Sequence, residues 1–337
     1  MATSAQARIK SVSYSKYGYI FIAPFFIVYF IFMLYPLLTT FTLSVHGNGT
    51  VAGASNNDFV GLANFQEILF GASKHHTDFI RDFKSTVIIW VGNFIPQLAL
   101  SLLLAVWFTD LRIKMPGKGF FKVVMYMPNI ITAASVAGLF MALVGSSKYS
   151  VANQLFDNSI KWLATGSNMP AKCVVMFIQV WMWFGNTMIM LMSGIQGINE
   201  SLFEAAEIDG ASSSQTFWRI TLPLLKTIMV YTLLTSMIGG LQMFDIPFML
   251  TDSSTRKLTN LETIAIYIYD KFYSGTESSR LYGYSAAASV LLFIVTACLG
   301  ALVFYVQRDK DAIEKNRKRK QAAKEAKKRA KGGGFSI

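Results

Sequence analysis

The sequence predicts an all-α, polytopic membrane protein with six transmembrane helices. Three observations predict it. Of 337 residues, 53% are hydrophobic and 15% charged, with a mean hydropathy of +0.41, whereas an average soluble domain carries about 25% charged residues. Six apolar runs each approach the ~20 residues that cross a hydrocarbon core as a helix. Lys and Arg are concentrated in alternate connecting segments, which is how a multi-pass chain fixes its orientation. The net charge of +12 would suggest a nucleic-acid partner in a soluble chain; here it reports membrane orientation, and no nucleic acid is expected.

Residues 1–16 carry Arg8, Lys10 and Lys16 and no acid. The apolar run that follows, 17–44, exceeds the ~7–15 residues of a cleaved signal's hydrophobic region. It reads as the first span, with Pro24 and Pro36 as tolerated kinks. Further spans are expected at 84–108, 123–144, 172–195, 227–250 and 284–306. Six spans place both termini on one side. Segments 1–16, 109–122, 196–226 and 307–337 hold 21 of the 31 basic residues, which assigns these segments and both termini to the cytoplasm. The first two agree without help from the C-terminal tail, since Asp110 is their only acid against seven bases. The domain plan is therefore a cytoplasmic tail at 1–16, a six-helix membrane domain at 17–306 with a cytoplasmic loop at 196–226, and a basic cytoplasmic tail at 307–337.

On the opposite face, the loop 45–83 contains Phe59-Val-Gly-Leu-Ala-Asn-Phe65, whose apolar residues suit a short surface helix. His75 and His76 are adjacent there; neighbouring histidines point apart and no third ligand lies nearby, so no metal is expected. Loops 145–171 and 251–283 complete that face. Cys173 and Cys298 fall inside apolar runs and read as small buried hydrophobes, not as a disulfide or metal pair. The Lys/Arg/Ala-rich tail reads as a frayed basic helix resting on anionic membrane lipids; no aromatic interleaves it before Phe335, which argues against nucleic acid.

Between the fourth and fifth spans lies the most structured polar segment, 200–225. Ser201 and Glu204 form a capping-box pattern that begins a short helix. Gly210 closes it, because glycine accepts the left-handed conformation of a helix end. The serines 212–214 supply cap oxygens for a second short helix over 215–220. Pro223 then fits the first turn of the fifth span, where its missing N–H costs nothing. With Phe203, Phe217 and Trp218 holding it against the membrane surface, the pair makes a compact plug suited to docking.

Polar groups inside spans are expensive and mark candidate transport residues. In the fifth span, Gly239-Gly240 and Pro247 are expected interruptions, with Gln242 and Asp245 between them on one face; broken helices place such groups around a cavity. Asp245 could instead hydrogen-bond a neighbouring helix. In the fourth span, Gln179, Trp183 and Asn186 share one helical face near Trp181. An aromatic plane beside amides suits a sugar, although such a stripe also suits packing. Asn129 beside Pro128, and Asn93 and Gln97 around Pro96, are weaker candidates of the same kind. The sequence contains no Gly-x4-Gly-Lys-Ser/Thr phosphate loop and no intramembrane row of charges for ion coupling. Any energy for pumping would come from another subunit.

The segment Glu204-Ala205-Ala206, Gly210, Ile220, Leu222-Pro223 resembles, at full spacing, the signature loop of membrane subunits of binding-protein-dependent ABC importers. The likeness is to the carbohydrate permeases of the maltose-transporter type, with the type I ABC importer permease fold. Phe59-Val-Gly-Leu-Ala-Asn-Phe65, Gly119-Phe-Phe-Lys122, Met127-Pro128, Trp183-Phe-Gly-Asn186, Phe244-Asp245, Leu250-Thr251 and Gly283-Tyr-Ser-Ala286 follow in the family's order. The resemblance implies a second homologous permease subunit, two cytoplasmic ATPase subunits that hold ATP and Mg, and an extracytoplasmic sugar-binding protein. It implies no cofactor and no enzymatic activity in this chain itself. The segment 204–220 would be the coupling helix seated in an ATPase groove, and a sugar, presumed an oligosaccharide, would be moved by alternating access across the cell membrane. After Leu250-Thr251 the chain departs from the family's Gly-Gly-Pro turn, reading Asp252-Ser-Ser-Thr-Arg256-Lys257, so details of binding-protein docking there do not carry over. The other readings open at this stage are a permease for a non-sugar solute, a self-sufficient channel or ion-coupled transporter, and a membrane scaffold or sensor.

Overall fold

A computed structural model describes residues 15–47, 58–110, 116–145, 147, 149–155, 162–163, 168–252, 256–257, 261–273 and 281–307. The expectations for the tails 1–14 and 308–337 and for the remaining loop segments fall outside these residues. Long apolar runs become helices because the bilayer offers no hydrogen-bond partner to a bare backbone. Tyr17–Ser44, Lys74–Thr109, Met169–Gln196, Lys226–Leu250 and Tyr282–Tyr305 are each long and apolar enough to cross. The pair Lys118–Ile130 and Ala133–Val144 is bent by 91° and makes the sixth span if taken as one.

In chain order the helices are α1 (Ser15–Tyr29), α2 (Tyr35–Ser44), α3 (Ala63–Phe70), α4 (Lys74–Thr109), α5 (Lys118–Ile130), α6 (Ala133–Val144), α7 (Val151–Leu155) and α8 (Asn168–Gln196). Then come α9 (Glu200–Ile208), α10 (Ser213–Thr216), α11 (Leu222–Leu224), α12 (Lys226–Leu241), α13 (Asp245–Leu250), α14 (Ile264–Tyr273) and α15 (Tyr282–Gln307). The prolines expected to kink the first span behave differently from each other. Pro24 lies inside α1, whereas a π turn over Phe30–Leu34 stands just ahead of Pro36. A second π turn, Phe217–Thr221, stands in the same relation to Pro223. The wider turn makes room for a ring that clashes with a regular helix.

Three expected spans are corrected in detail. Helix α4 begins at Lys74, ten residues before the expected start; its 36 residues extend for ~54 Å, well beyond a ~30 Å hydrocarbon core. The third span is not one helix. Ile131 and Thr132 are extended, and the Thr132 side chain caps α6 by accepting the Ser135 N–H; the β-branched run 130–132 favours that break. The fifth span is interrupted, not at Gly239-Gly240 but just ahead of Pro247, whose missing N–H cannot answer the carbonyl of Met243 four residues earlier. Helix α12 runs through both glycines to Leu241, the break covers 242–244, and Pro247 sits in the first turn of α13. Gly240 serves close packing instead, since a Cβ there would lie 2.1 Å from Trp90 Cδ1.

The chain divides into two compact units. In the first, Met1–His76 with Ile268–Leu291, Asn64 is fully buried and its Nδ2 donates to Ser44 O and His46 O, both at 2.9 Å, which ties α3 to the end of α2. The His75 ring stacks on Tyr284, and His76 Nδ1 lies 2.9 Å from Ile68 O. Residues of α1 and α2 are exposed over most of their length.

In the second unit, Thr77–Tyr267 with Leu292–Ile337, the described residues include two apolar cores. One gathers Ile89 of α4, Val136 and Phe140 of α6, Val175 and Ile178 of α8, Ile246 and Leu250 of α13, and Met243 and Leu261. The other gathers Leu104, Ala105 and Phe108 of α4, Met188, Leu191 and Ile195 of α8, and Leu225. Lipid is as apolar as these side chains, so helix contact depends on close approach and interhelical hydrogen bonds. Gln97 Nε2 donates to Thr187 Oγ1 at 2.8 Å, Ser101 Oγ to Phe184 O at 2.7 Å, and Trp90 Nε1 to Ser236 Oγ at 3.2 Å. Cys173 and Cys298 are free but exposed, not buried as expected; an apolar residue on a spanning helix can face lipid at no cost.

Gly185 of α8 lets the backbone of α5 come close: a Cβ there would lie 2.1 Å from Met125 O. A Gly185→Ala variant is expected to lose ~1–3 kcal/mol through overpacking, seen as a lower Tm of the detergent-purified protein. Gly138→Ala, where a Cβ meets nothing within 4 Å, is the control and is expected to hold or raise Tm.

Candidate functional site

Residues 199–225 form a helix, a left-handed turn and a second helical stretch, built by local capping. Asn199, not Ser201, is the N-cap of α9: its side chain accepts the Ser201 N–H at 3.1 Å. Both positions carry residue types that cap, and the extended backbone falls at the earlier one. At the other end Gly210 has φ +73°. The Ala211 N–H reaches Ala206 O at 2.9 Å and the Gly210 N–H reaches Glu207 O at 3.0 Å, the paired bonds of a Schellman closure. The reciprocal capping box lies one helix later: Ser212 Oγ accepts the Gln215 N–H at 3.3 Å, and Gln215 Oε1 accepts the Ser212 N–H at 2.8 Å. That turn leads through the π turn into Leu222, Pro223 and α12.

The faces of this module differ. Ala206 is buried and Ile220 and Leu222 are half-buried, whereas Glu204, Ala205, Gly210 and Pro223 are exposed. Ile208, which sequence reading passed over, is 86% exposed, and Trp218 is 63% exposed. An apolar residue within a mostly polar helix was the available signal for Ile208. Phe203 and Phe217 do not lie open as anchors; they wall a cavity of about 310 Å³. Val106, Thr109 and Asp110 at the end of α4, Ile195 and Gln196 at the end of α8, and Glu200, Glu204 and Glu207 complete much of its lining. Among the described residues its lining holds four carboxylates, Asp110, Glu200, Glu204 and Glu207, and no Lys, Arg or His. Such a site suits a basic or amphipathic group from a docking partner.

The candidate path residues divide by exposure. Asn186, Gln242 and Asp245 are exposed, Trp183 is 46% exposed, and Gln179 and Asn129 are half-buried. Gln242 lies in the break of the fifth span and Asp245 opens α13. Asn93 and Gln97 are excluded from an open path: both are buried, Asn93 Nδ2 bonds Ile89 O at 2.9 Å, and Gln97 bonds Thr187. An exposed amide or carboxylate within a span needs water or a partner chain beside it. Where the chain departs from the Gly-Gly-Pro turn, Arg256 is buried. Its Nη1 donates to Phe248 O at 2.9 Å and Thr251 O at 2.5 Å, and its guanidinium lies 4.6 Å from the Phe248 ring centre. A cation at these carbonyls stabilises the C-terminal end of α13.

Residues 68–311 match the family described as binding-protein-dependent transport system inner membrane component. The chain is 27% identical over 315 residues to the lactose transport system permease protein LacF of Rhizobium radiobacter, covering 92% of this chain and 100% of the relative. It is 30% identical over 303 residues to the arabinooligosaccharides transport system permease protein AraP of Bacillus subtilis (strain 168), covering 87% and 90%. The fold matches a crystal structure of a bacterial ABC transporter involved in import of the acidic polysaccharide alginate. The TM-score is 0.73 at 20% identity, over 88% of this chain and 96% of that one.

Because Gly210 holds the left-handed turn, Gly210→Ala is expected to cost ~1–2 kcal/mol locally. Hydrogen exchange on the purified protein should show faster exchange at the amides of 210 and 211, with α4 and α8 unchanged.

Proposed function

Because the chain belongs to the family of inner membrane components of binding-protein-dependent transport systems, we propose that it is a permease subunit of an ATP-driven importer for a sugar, best an oligosaccharide. The observation that carries this reading is the module 199–225, which presents Ala205, Ile208 and Trp218 exposed and backs them with a cavity whose described lining holds four carboxylates. Exposed apolar groups on a rigid polar helix suit a protein partner. We assign that partner as an ATPase subunit, with Glu204, Ala205, Gly210, Ile220, Leu222 and Pro223 in the coupling segment. Ala206 acts from beneath: its carbonyl accepts the bond that closes the turn.

The sequence has no phosphate-binding loop, so ATP and Mg belong to two separate ATPase subunits. A second homologous permease completes the membrane pair, and an external binding protein delivers the sugar. The distribution of Lys and Arg supports a cytoplasmic position for both termini and the coupling module. Closure of the ATPase pair pulls on the module and rocks the permeases between outward- and inward-facing states around a fixed site. Asn186, Trp183, Gln242 and Asp245 contribute this chain's part of the path, with Gln179 and Asn129 at its margin; the cargo follows the named transport roles of LacF and AraP.

The test is uptake of a panel of labelled mono- and oligosaccharides by cells expressing the complete transporter. Gly210→Pro cannot adopt φ +73° and is expected to abolish ATP-coupled uptake while inserting normally. Ile208→Asp is expected to weaken docking of the ATPase by ~1.4–2.8 kcal/mol, roughly ten- to hundredfold. Asp245→Ala is expected to change the sugar preference. Normal assembly and uptake by Gly210→Pro would remove the coupling assignment.

A further inference from the structure

The break in the fifth span leaves backbone groups that α12 and α13 do not satisfy between them. The Gln242 N–H closes α12 on Ile238 O and the Met243 N–H on Gly240 O, while the Phe248 N–H opens α13 on Phe244 O. Four residues on from Met243 stands Pro247, which has no N–H to offer the Met243 carbonyl, and the partner of that carbonyl comes from twenty residues downstream. Thr263 Oγ1 donates to Met243 O at 2.6 Å. The same oxygen accepts the Ile266 N–H at 3.4 Å, so it also caps α14. One hydroxyl serves both groups because it is donor and acceptor together.

Thr263 belongs to residues 261–264, all buried, with Leu261, Thr263 and Ile264 at 0% exposure and Glu262 at 3%. Each residue of this strap is tied down. The Leu261 N–H donates to Arg256 O at 3.0 Å, and Leu261 packs in the core with Met243. Glu262 Oε2 accepts from Arg81 Nη2 of α4 at 2.6 Å. The Ile264 N–H donates to Thr86 Oγ1 of α4 at 2.9 Å. The strap therefore runs from α4 to the break, and Met243, where it ends, is flanked by Gln242 on one side and by Phe244 and Asp245 on the other.

We propose that residues 261–264, acting through Thr263, position the break of the fifth span and so fix where Gln242 and Asp245 meet the cargo. This rests on the path assignment made under the proposed function. Thr263 touches no cargo; it is a positioning residue. Without its hydroxyl, Met243 O and the Ile266 N–H lose their partner where water is excluded, and the break relaxes toward other geometries.

The experiment uses the whole transporter in proteoliposomes with its ATPase subunits and binding protein. It compares wild type, Thr263→Val, which keeps the branched shape, and Thr263→Ser, which keeps the hydroxyl. Hydrogen exchange at 242–246 is expected to quicken roughly tenfold in Thr263→Val, with α9 unchanged. The ratio of short- to long-saccharide uptake should shift with it, and Thr263→Ser should restore both. Thr86→Val, which removes the strap's acceptor on α4, should move both readouts in the same direction and stands in if Thr263→Val does not assemble. Unchanged exchange at 242–246 overturns the proposal, and quickened exchange with an unchanged uptake ratio overturns its claim on cargo selection. If wild type takes up no saccharide of the panel, the proposed function fails; exchange at 242–246 then judges the strap alone.

Discussion

A backbone N–H or C=O inside a bilayer has no water to turn to, so each place where a helix stops within a span must be answered by another part of the chain. This constraint shapes every irregularity of the membrane domain. Ahead of Pro36 and Pro223 the answer is a π turn, which widens the helix around the ring. At the bend between α5 and α6 it is the Thr132 side chain, acting locally as a cap. At 242–244 it is Thr263, twenty residues away in sequence. The three answers differ in reach, and so in consequence. A local answer shapes only its own turn; a distant one makes the geometry of the break depend on the packing of a separate segment.

The same constraint sorts the polar side chains. Asn93 and Gln97 resemble Asn186 and Gln242 in type and in their intramembrane setting. Yet Asn93 closes on its own helix and Gln97 on Thr187 of α8, both away from the surface. Because packing between helices in lipid gains little from apolar burial, the bonds of Gln97 and Ser101 to α8 and the close approach at Gly185 hold α4, α5 and α8 together. Amides spent on that task cannot bind cargo. Those left exposed, Asn186 and Gln242 with Asp245, are the ones free to do so.

How much of this was legible in the sequence follows from the range of each determinant. The long apolar runs and the turn at Gly210 were legible because composition and one residue's φ decide them. The start of α9 was misplaced by two residues because Asn199 and Ser201 both offer cap oxygens, and only the backbone chooses between them. The bend at 131–132 had a local signal, a β-branched run followed by Thr132 and Ser135, that mean hydropathy hides. Interruptions of the fifth span were expected at Gly239-Gly240 and at Pro247; glycine is tolerated in membrane helices, and Gly240 admits Trp90. Pro247, four residues beyond Met243, has no N–H to offer that carbonyl, which is a local signal for the break; the partner that answers Met243 O, Thr263, lies outside any window of sequence around 240. The cavity lined by Asp110, Glu204 and Glu207 was hidden for the same reason, since its walls come from α4, α8 and α9.

Helix α4 joins these observations. Near one end, Arg81 and Thr86 hold the strap proposed to set the break; near the other, Val106 and Thr109 wall the cavity behind the module 199–225. The two groups are separated by ~30 Å along the axis at 1.5 Å per residue. Between them α4 contributes Ile89 to one core and Leu104, Ala105 and Phe108 to the other, and Pro96 lies inside it without ending it. A continuous helix packed along its length moves as a body more readily than it bends, because close-packed interfaces switch between discrete arrangements. A displacement imposed at the cavity would therefore reach the strap as a shift of Arg81 and Thr86, and through Glu262 and Ile264 it would act on the carbonyl of Met243. On the proposed function, α4 would be the lever between the module 199–225 and the broken span, with half-buried Arg81 and buried Thr86 as its anchors and the strap as the joint at its far end.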